Sequence, residues 1–279
     1  MTSSRIIYYY QTLIGLQCIL EEAIPTCTHI ILSAFHFGTN PDGSPYIHLN
    51  NYSPDDVRFT ECWQQLQTLS ERGVTILIML GGAGGAYTEL FSNYNTYYNM
   101  LKDTINKYDV ISGIDLDIEE YVHINDIKRL MGDIRGDFGD KFIITMAPLG
   151  SSLQTDEIGM GGFIYKDLYN SPEGQYISWF NGQFYGSYTI DDVDRVVNNG
   201  YPSEKVVMGM ISSQFSTFTT FTECLVTLIK IKQRYPDFGG VDVWEYLNSP
   251  PGITKNPSIW SESISNVFNS FDLKHNEQL

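Results

Sequence analysis

Three carboxyl groups stand at alternate positions in the stretch ISGIDLDIEE, residues 111–120. They belong to Asp115, Asp117 and Glu119, and aliphatic residues fill the positions between them. Successive side chains of a β-strand point to opposite faces, so a strand would place the three acids on one face and the aliphatic residues on the other. Read as a helix, the same residues would form no coherent face. The pattern therefore predicts a strand that carries a ladder of carboxyl groups.

This ladder of acids has two interpretations. Charged side chains usually lie on a solvated face, and an exposed edge strand could carry them at little cost. Ile114, Leu116 and Ile118 argue against an edge strand, because an edge rarely needs so apolar a second face. In a buried cleft, repulsion between the like charges would keep one acid protonated near neutral pH. A protonated carboxyl group in a cleft is what general acid catalysis requires.

The composition limits the possible partners. The chain has 279 residues and is 42% hydrophobic, which is enough apolar material to fill one sizeable core. Its net charge of -16 disfavours nucleic acid and anionic membrane surfaces, and leaves neutral or cationic substrates open. Aromatic residues make up 14% of the chain and include 19 Tyr, which suits a surface that stacks on sugar rings.

The cysteines and histidines predict neither a disulfide scaffold nor a metal site. Cys18, Cys27, Cys62 and Cys224 are too few and too irregularly spaced for either, and the five histidines lack ligand spacing. We therefore expect no metal and no cofactor. We also find no run of about 18 apolar residues that would predict a transmembrane helix, and no signal peptide at the start of the chain. Both an intracellular location and a removed leader fit this start, so the compartment stays open.

Eight apolar runs rich in β-forming residues alternate along the chain with amphipathic segments of helical period, such as 58–72, 124–135 and 221–235. The eight runs are 5–11, 28–37, 74–80, 110–119, 141–148, 177–186, 205–211 and 239–246. Strands that alternate with helices imply right-handed βαβ units and a parallel sheet. Eight repeats with no Pro- or Ser-rich linker predict an α/β fold, a single (β/α)8 TIM barrel that forms one domain over residues 1–279.

The predicted barrel indicates where the acid ladder lies in the fold. In this architecture the active site lies at the carboxyl ends of the strands, and Glu119 falls at the end of the fourth run. The ends of the other runs carry glycine, polar, sulfur and aromatic residues: Gly81, Gly82, Met146, Gln183, Tyr185 and Trp244. Such residues, gathered from all round a barrel, predict a cleft for a hydrophilic ligand.

With these motifs in place, the sequence resembles the family 18 glycoside hydrolases, the chitinases and endo-β-N-acetylglucosaminidases. The fourth strand of that family carries D-G-x-D-x-D-x-E, and residues 112–119 here read S-G-I-D-L-D-I-E. The S-x-G-G of its third strand appears as MLGG at 79–82. The segments TMAP (145–148), NGQFYG (181–186) and VDVWEY (241–246) follow in the order of the family. The likeness covers essentially the whole chain.

Two positions depart from the family pattern. Ser112 replaces the first Asp of the acid motif, and we expect this to remove a charge from the base of the ladder and to alter how Asp115 and Asp117 share protons. Met79 replaces the serine of the third strand and removes a buried hydroxyl partner for the same cluster. Neither change touches Glu119.

The resemblance implies a substrate-assisted, retaining mechanism. In that mechanism Glu119 protonates the glycosidic oxygen while the 2-acetamido group of the sugar attacks the anomeric carbon. Asp117 would orient the acetamido N–H, and Tyr185 would donate a hydrogen bond to the acetamido oxygen. Asp115 would tune Asp117 by like-charge coupling, so that the pair titrates jointly.

The resemblance also implies which residues contact the sugar. Trp244 would form the floor of the sugar pocket, beside the retained Gly82. Gln183 and Asn181 would be polar ligands of the sugar, and Met146 a wall of the pocket. Asn181 and Met146 also fit a simpler interpretation, in which they only fill the barrel.

Three functions remain open on the sequence. The first is endo cleavage of chitin or chito-oligosaccharides, which would make the partner a polysaccharide of N-acetylglucosamine and the protein a monomeric enzyme. The second is cleavage of the chitobiose core of N-glycans. The short loops predict an open, shallow groove and endo cleavage for either polymer. The third is a chitin-binding lectin-like barrel without activity. The intact Glu119, Asp117 and Tyr185 argue against the lectin.

Overall fold

The computed structural model describes residues 4–212, 219–252 and 256–276. The strands are β1 Arg5–Tyr10, β2 His29–Thr39, β3 Pro45–Leu49, β4 Thr75–Gly81, β5 Ile111–Asp117, β6 Ile143–Met146, β7 Trp179–Gln183, β8 Val206–Ile211 and β9 Gly240–Trp244. The α-helices are α1 Gln17–Leu20, α2 Thr60–Glu71, α3 Tyr87–Ser92, α4 Tyr94–Lys107, α5 Ile124–Phe138, α6 Gly150–Gln154, α7 Tyr165–Tyr169, α8 Ile190–Asn198, α9 Phe221–Arg234 and α10 Ser258–Asn276. Each of these described helices is too short or too polar to cross a membrane.

Eight of the strands close into a parallel barrel. β1 pairs in parallel with both β2 and β9, so the first and last strands are neighbours. The order around the barrel is β1, β2, β4, β5, β6, β7, β8 and β9, and every neighbouring pair is parallel. The predicted (β/α)8 fold is therefore confirmed, with each of the eight predicted runs supplying one strand of the barrel.

β3 lies outside the closed barrel and was not predicted. It pairs with β2 in antiparallel orientation and extends the sheet as a hairpin. Its alternation is regular: Ile47 and Leu49 are buried, whereas Tyr46 and His48 are only half-buried. The turn residues NPDGS at 40–44, followed by this alternation, are the signals from which the hairpin could have been predicted.

The apolar core has an outer layer and an inner layer. The outer layer packs the sheet against the helices and includes Ile114 and Leu116 of β5. The inner layer fills the barrel itself and includes Ile7, Leu77 and Val207. Burying one such side chain stabilises the fold by roughly 1.5–3 kcal/mol. Because alternate residues of each strand point inward, the inner positions nearer the carboxyl ends are free to carry polar groups.

The last helix packs onto the first strand. The hydroxyl of Tyr8 donates to the carbonyl of Pro257 at 2.6 Å and accepts from the backbone N–H of Ser261 at 3.1 Å. The rings of Tyr8 and Trp260 lie 4.9 Å apart between their centroids. These contacts join β1 to α10 and reinforce the closure of the barrel.

Candidate active site

The acid ladder lies on β5, inside the barrel. Asp115 is fully buried and Asp117 is 5% exposed, while Glu119 lies two residues beyond the end of the strand and is half-buried. Leu116, between the two aspartates, faces the outer core as the alternation predicts. β5 pairs with β4 on one side and β6 on the other. The interpretation as a solvated edge strand is therefore wrong.

Asp115 is held by three hydrogen-bond donors. Its carboxyl group accepts from the hydroxyl of Tyr9 at 2.9 Å, from the hydroxyl of Thr145 at 2.5 Å and from the amide nitrogen of Asn181 at 3.0 Å. Burial raises the pKa of Asp115, and the three donors oppose that rise. Since an amide nitrogen can only donate, this arrangement favours the ionised form of Asp115.

Asp117 has a different environment from Asp115. Its one side-chain donor among the described residues is Gln183, whose Nε2 lies 3.3 Å from Oδ1. Burial raises the pKa of Asp117, and the neighbouring Glu119, Asp115 and Asp242 raise it further. Of the two buried aspartates on β5, Asp117 is therefore the one that holds its proton more strongly.

A cavity of about 200 Å³ opens beside Asp117 and Glu119 at the carboxyl ends of the strands. Its walls come from six of the barrel strands and the turns after them: Gln11, Ala34, His36, Met79, Gly81, Gly82, Ala83, Gly84, Asp117, Glu119, Gln183, Tyr185 and Trp244. An open depression of about 540 Å³ shares Gln11 and His36 with this cavity and continues to Asn50 and Asn51. The cavity is thus one part of a longer polar groove.

Gln183 connects the two acids of the cavity. Its Nε2 lies 3.3 Å from Oδ1 of Asp117 and 3.4 Å from Oε1 of Glu119, and it donates to the carbonyl of Ala147 at 2.9 Å. The half-buried Trp244 lines the same cavity, and its ring centroid is 5.4 Å from that of Tyr9. A planar aromatic wall beside a pair of acids suits the stacking of a sugar ring next to a proton donor.

Tyr185 and Gly82 lie where the sequence predicted a site. Tyr185 is half-buried in the turn after β7, and burial together with the nearby acids raises its pKa, so that its phenol remains a donor. Gly82 has a φ of +85°, and a Cβ there would lie 3.0 Å from Cε of Met79 and 3.4 Å from Oδ2 of Asp117. A side chain at position 82 would therefore fill the cavity next to Asp117.

Two of the predicted substrate contacts lie elsewhere. Met146 is fully buried in the outer core, because Thr145 before it points into the barrel and successive residues alternate. The prediction that Met146 forms a wall of the pocket is therefore wrong. Asn181 points inward but does not line the cavity, since its amide binds Asp115 and its carbonyl accepts from Nε1 of Trp179. Asn181 therefore orients the carboxyl group of Asp115 from inside the barrel.

The two departures from the family pattern have unequal consequences. Ser112 is exposed at a register shift of β5, off the face that carries Asp115 and Asp117, so the expected loss of charge from the ladder is wrong. Met79 does face the site: it lies opposite Asp115 in the sheet register and lines the cavity. The hydroxyl that Met79 lacks is replaced by those of Tyr9 and Thr145.

Sequence reasoning missed the roles of Tyr9, Asp242 and Glu120. Tyr9 gave no signal within a run of three tyrosines, but Asp242 is the one charged residue in the buried strand β9. Glu120 follows the acid motif directly. Its carboxylate accepts from the backbone N–H groups of residues 86–88 and holds the glycine-rich segment 81–86 against the site.

Comparisons with known proteins agree with this geometry. A family model described as glycosyl hydrolases family 18 matches residues 5–220. The chain is similar to a fungal endo-β-N-acetylglucosaminidase of that family, with 32% identity, a TM-score of 0.85 and coverage of 94% of this chain and 97% of that chain. It is similar to a chitinase of Aspergillus fumigatus, with 31% identity, a TM-score of 0.80 and coverage of 94% and 99%. An acidic endochitinase of Vitis vinifera is 24% identical over 255 residues, 81% of this chain and 79% of the relative.

Proposed function

The chain belongs to family 18 of the glycosyl hydrolases and is a chitinase-like glycoside hydrolase, and from this we propose that it cleaves β-1,4-linked N-acetylglucosamine within chitin or chito-oligosaccharides. Enzymes of this family act on substrates that contain N-acetylglucosamine. We further propose that residues 1–279 form one catalytic domain that works as a monomer, with retention of the anomeric configuration.

One observation carries the proposed mechanism. Among the residues that the structure describes, only two carboxyl groups line the cavity, and both Asp117 and Glu119 come from the same strand end. A retaining glycosidase with a protein nucleophile needs one carboxyl group on each side of the scissile bond. Two acids on one side cannot meet that need. The nucleophile is therefore the 2-acetamido group of the substrate.

In the proposed reaction, Glu119 acts as the acid and then the base, and the two aspartates of β5 act electrostatically. Glu119 protonates the departing glycosidic oxygen, and the acetamido carbonyl forms a bond to the anomeric carbon as the glycosidic bond breaks. Water then attacks the anomeric carbon of the oxazolinium ion, and the bond from that carbon to the acetamido oxygen breaks and regenerates the acetamido group. Glu119, now a carboxylate, takes the proton from that water. The buried pair Asp115 and Asp117 holds one negative charge and one proton, which offsets the positive charge of the intermediate.

The remaining residues bind and orient the sugar. Asp117 accepts the acetamido N–H, and Tyr185 donates to the acetamido oxygen with its protonated phenol. Trp244 stacks on the sugar ring, and Gln183 keeps the carboxyl groups of Asp117 and Glu119 in a fixed relation. Gly82 leaves the space that the acetamido group occupies.

The products of chito-oligosaccharides test this proposal. Mass spectrometry should detect internal cleavage, and proton NMR of the first-formed product should give the β-anomer from the β-linked substrate. A thiazoline analogue of the oxazoline should inhibit the reaction. Efficient hydrolysis of cellulose oligomers, which have no 2-acetamido group, or an α-anomer as first product would show that the mechanism is wrong.

Cleavage of the chitobiose core of N-glycans is a second candidate function. The observation that favours it is the 32% identity with a fungal endo-β-N-acetylglucosaminidase over 94% of this chain. The test adds a high-mannose glycoprotein to the same assay. Release of the glycan with one N-acetylglucosamine left on the protein would support this function, and an unchanged glycoprotein alongside cleaved chito-oligosaccharides would exclude it.

A further inference from the structure

Asp242 is a buried carboxyl group to which the mechanism above assigns no task. It lies on β9, two residues before Trp244 and on the same inward face, between Ile7 of β1 and Gly209 of β8 in the sheet register. It is 2% exposed, and its Oδ2 has no hydrogen-bond partner among the described residues. An ionised carboxyl group in such a place costs several kcal/mol of stability. A group of this kind in a folded protein needs a physical explanation.

The neighbouring strand leaves room for this carboxyl group. A Cβ at Gly209 would lie 2.7 Å from the backbone oxygen of Gly182, 2.8 Å from Oδ1 and 3.2 Å from Oδ2 of Asp242, so any side chain at position 209 would collide with the neighbouring strand as well as with the acid. Gly209 thus allows the barrel interior to contain a carboxyl group where an apolar side chain would otherwise fill it. The carboxyl group of Asp242 is therefore accommodated by the surrounding strands.

The titratable groups around Asp242 are acids and phenols. Tyr9 faces it from β1, Asp115 and Asp117 from β5, and Tyr185 and Tyr188 from the segment after β7. None of these groups is basic. An acid without a cation or a donor in a low-dielectric interior stays neutral until the pH is well above its usual range, and its charge, when it forms, acts on the other acids.

We propose that Asp242 is a positioning residue of the hydrolysis, a third buried carboxyl group of the barrel interior that acts through Asp115 and Asp117 and extends activity to higher pH. The proposal rests on the proposed function, since it takes Glu119 as the acid and the aspartate pair as its support. Asp242 does not line the cavity and therefore does not contact the sugar. Its role is electrostatic.

The interactions between the three aspartates determine whether Asp242 raises or lowers the pH at which the cluster loses its proton. Burial raises the pKa of Asp242, and Asp115 raises it further. Asp242 in turn raises the pKa of Asp117. Asp115, which has three hydrogen-bond donors, ionises first, and a charge on Asp242 then resists the loss of the proton from Asp117. Without the carboxyl group of Asp242, the cluster would lose that proton at lower pH.

The pH profile of the Asp242→Asn variant tests this direction. Asparagine keeps the shape of the side chain but cannot ionise, so the alkaline limb of kcat/KM should move to lower pH. Charges about 6–12 Å apart at an effective dielectric constant near 20 predict a shift of roughly one to two units. An alkaline limb at the pH of the wild-type enzyme would overturn the proposal. If the Asn variant does not fold, Asp242→Ser removes the same charge and should give the same shift.

A second measurement needs no substrate. The raised pKa of Asp242 means that its contribution lowers stability as the pH rises above the usual range for Asp. Urea unfolding between about pH 4 and about pH 8 should therefore show Asp242→Asn gaining stability, relative to the wild-type protein, as the pH rises. This result stands even if the protein does not cleave chito-oligosaccharides, so failure of the proposed function remains distinguishable from failure of this inference.

Asp192 provides the matched control. It is 1% exposed, like Asp242, but lies at the start of α8 and has full hydrogen bonding from Ser187, Thr189 and Arg195. Burial raises its pKa, but these hydrogen bonds outweigh burial and lower it overall. Asp192→Asn should therefore lose stability relative to wild type as the pH rises to about 5, and the difference should stay constant above that pH, with the alkaline limb of activity unchanged. If Asp242→Asn has the same sign of slope as Asp192→Asn, Asp242 is an ordinary paired acid and the proposal is wrong.

Discussion

Asp115, Asp117 and Glu119 carry the same functional group on one face of the chain, and their surroundings give them different chemistry. Asp115 accepts from three donors, while Asp117 and Glu119 share a single amide nitrogen of Gln183. Glu119 is the most exposed of the three and the last of them in the sequence, beyond the end of β5. The acid best placed to meet a substrate is therefore Glu119, and the two behind it set its electrostatic environment.

Replacing Glu119 by Gln should abolish most of the activity and leave the fold intact. The change removes the proton donor and hardly alters the volume, so turnover of natural oligosaccharides should fall by roughly 10²–10⁴-fold or more. Calorimetry should find nearly unchanged oligosaccharide binding. Glu157→Gln, at an exposed position outside the cavity lining, serves as the control and should keep full activity. Turnover near the wild-type value in the Glu119 variant would show that Glu119 is not the general acid.

Trp244→Ala should weaken the binding of chito-oligosaccharides by roughly 1–2 kcal/mol or more, because a large aromatic contact is lost. The ring lines the cavity and packs against Tyr9. Titration of the variant with oligosaccharide measures the loss. Trp63→Ala removes a tryptophan that stacks on Tyr108 outside the cavity, and its affinity should match that of the wild-type protein. Equal affinities in the two variants would mean that Trp244 only packs the barrel.

At the residue level, the sequence predicted Gly82, Gln183 and Trp244 at the cavity, but not the contacts that form inside the closed barrel. The shared face of the acids required only the alternation of β5. The contacts of Tyr9 and Asp242 depend on closure, because β1 and β9 become neighbours only in the finished barrel. Residues more than 200 positions apart then lie side by side, and no local pattern contains that information.

At the scale of the elements, the glycine-rich run at 81–86 is held by side chains from outside the run. Glu120 accepts hydrogen bonds from the backbone N–H groups of Tyr87 and Thr88 at 2.6 and 3.1 Å, and His36 binds the carbonyl of Gly85 at 2.6 Å. Burial raises the pKa of Glu120, but its hydrogen bonds outweigh burial and lower it overall. The carboxylate is therefore the form that holds this segment in place.

Glu120→Gln should raise KM more than it lowers kcat. The amide offers one acceptor oxygen where the carboxylate offers two, so partly buried N–H groups lose partners at a cost of roughly 1 kcal/mol of stability. The segment lines the cavity at Gly82 and Gly84, so its loosening should affect binding first. Since the pKa of Glu120 is lowered, the stabilisation that it contributes is present at neutral pH and is lost as the pH falls through that pKa.

Steady-state kinetics and unfolding at neutral and acidic pH check this prediction. Glu223→Gln is the matched control, because Glu223, in the first turn of α9, also accepts from a backbone N–H and a hydroxyl group, those of the N-cap residue Thr220. It should lose stability without a change in KM. A Glu120 variant with wild-type KM would mean that the glycine-rich segment holds its conformation without this anchor.

The eight barrel strands were predictable because each is a short apolar run bounded by amphipathic helical segments. β3 escaped because it is a surface strand with only two buried side chains, Ile47 and Leu49. The end of β5 at Asp117 also differed from the prediction. Glu119 continues the alternation of the strand, but it is the turn beyond the last ladder pair that brings this residue to the cavity.

For the whole molecule, the net charge of -16 should determine for which substrates KM depends on the salt concentration. A fully acetylated chito-oligosaccharide is neutral, so its KM should hardly change as the salt concentration rises from about 0.01 M to about 1 M. A partly deacetylated oligosaccharide is cationic and should bind more weakly as salt screens the attraction. Parallel kinetics on the two substrates measure the difference. An equal response to salt from both would mean that the charge lies too far from the groove to matter.

Closure of the barrel between its first and last strands has a consequence for synthesis on the ribosome. Trp244 and Asp242 belong to β9, the last strand to emerge, and β9 must enter between β1 and β8 before the cavity has its aromatic wall. The growing chain therefore has no working site at any intermediate length, however much of the earlier sheet has already formed. Messages truncated before codon 240 should yield inactive polypeptides, and activity in a timed translation should appear in a single step after the final helix has left the exit tunnel.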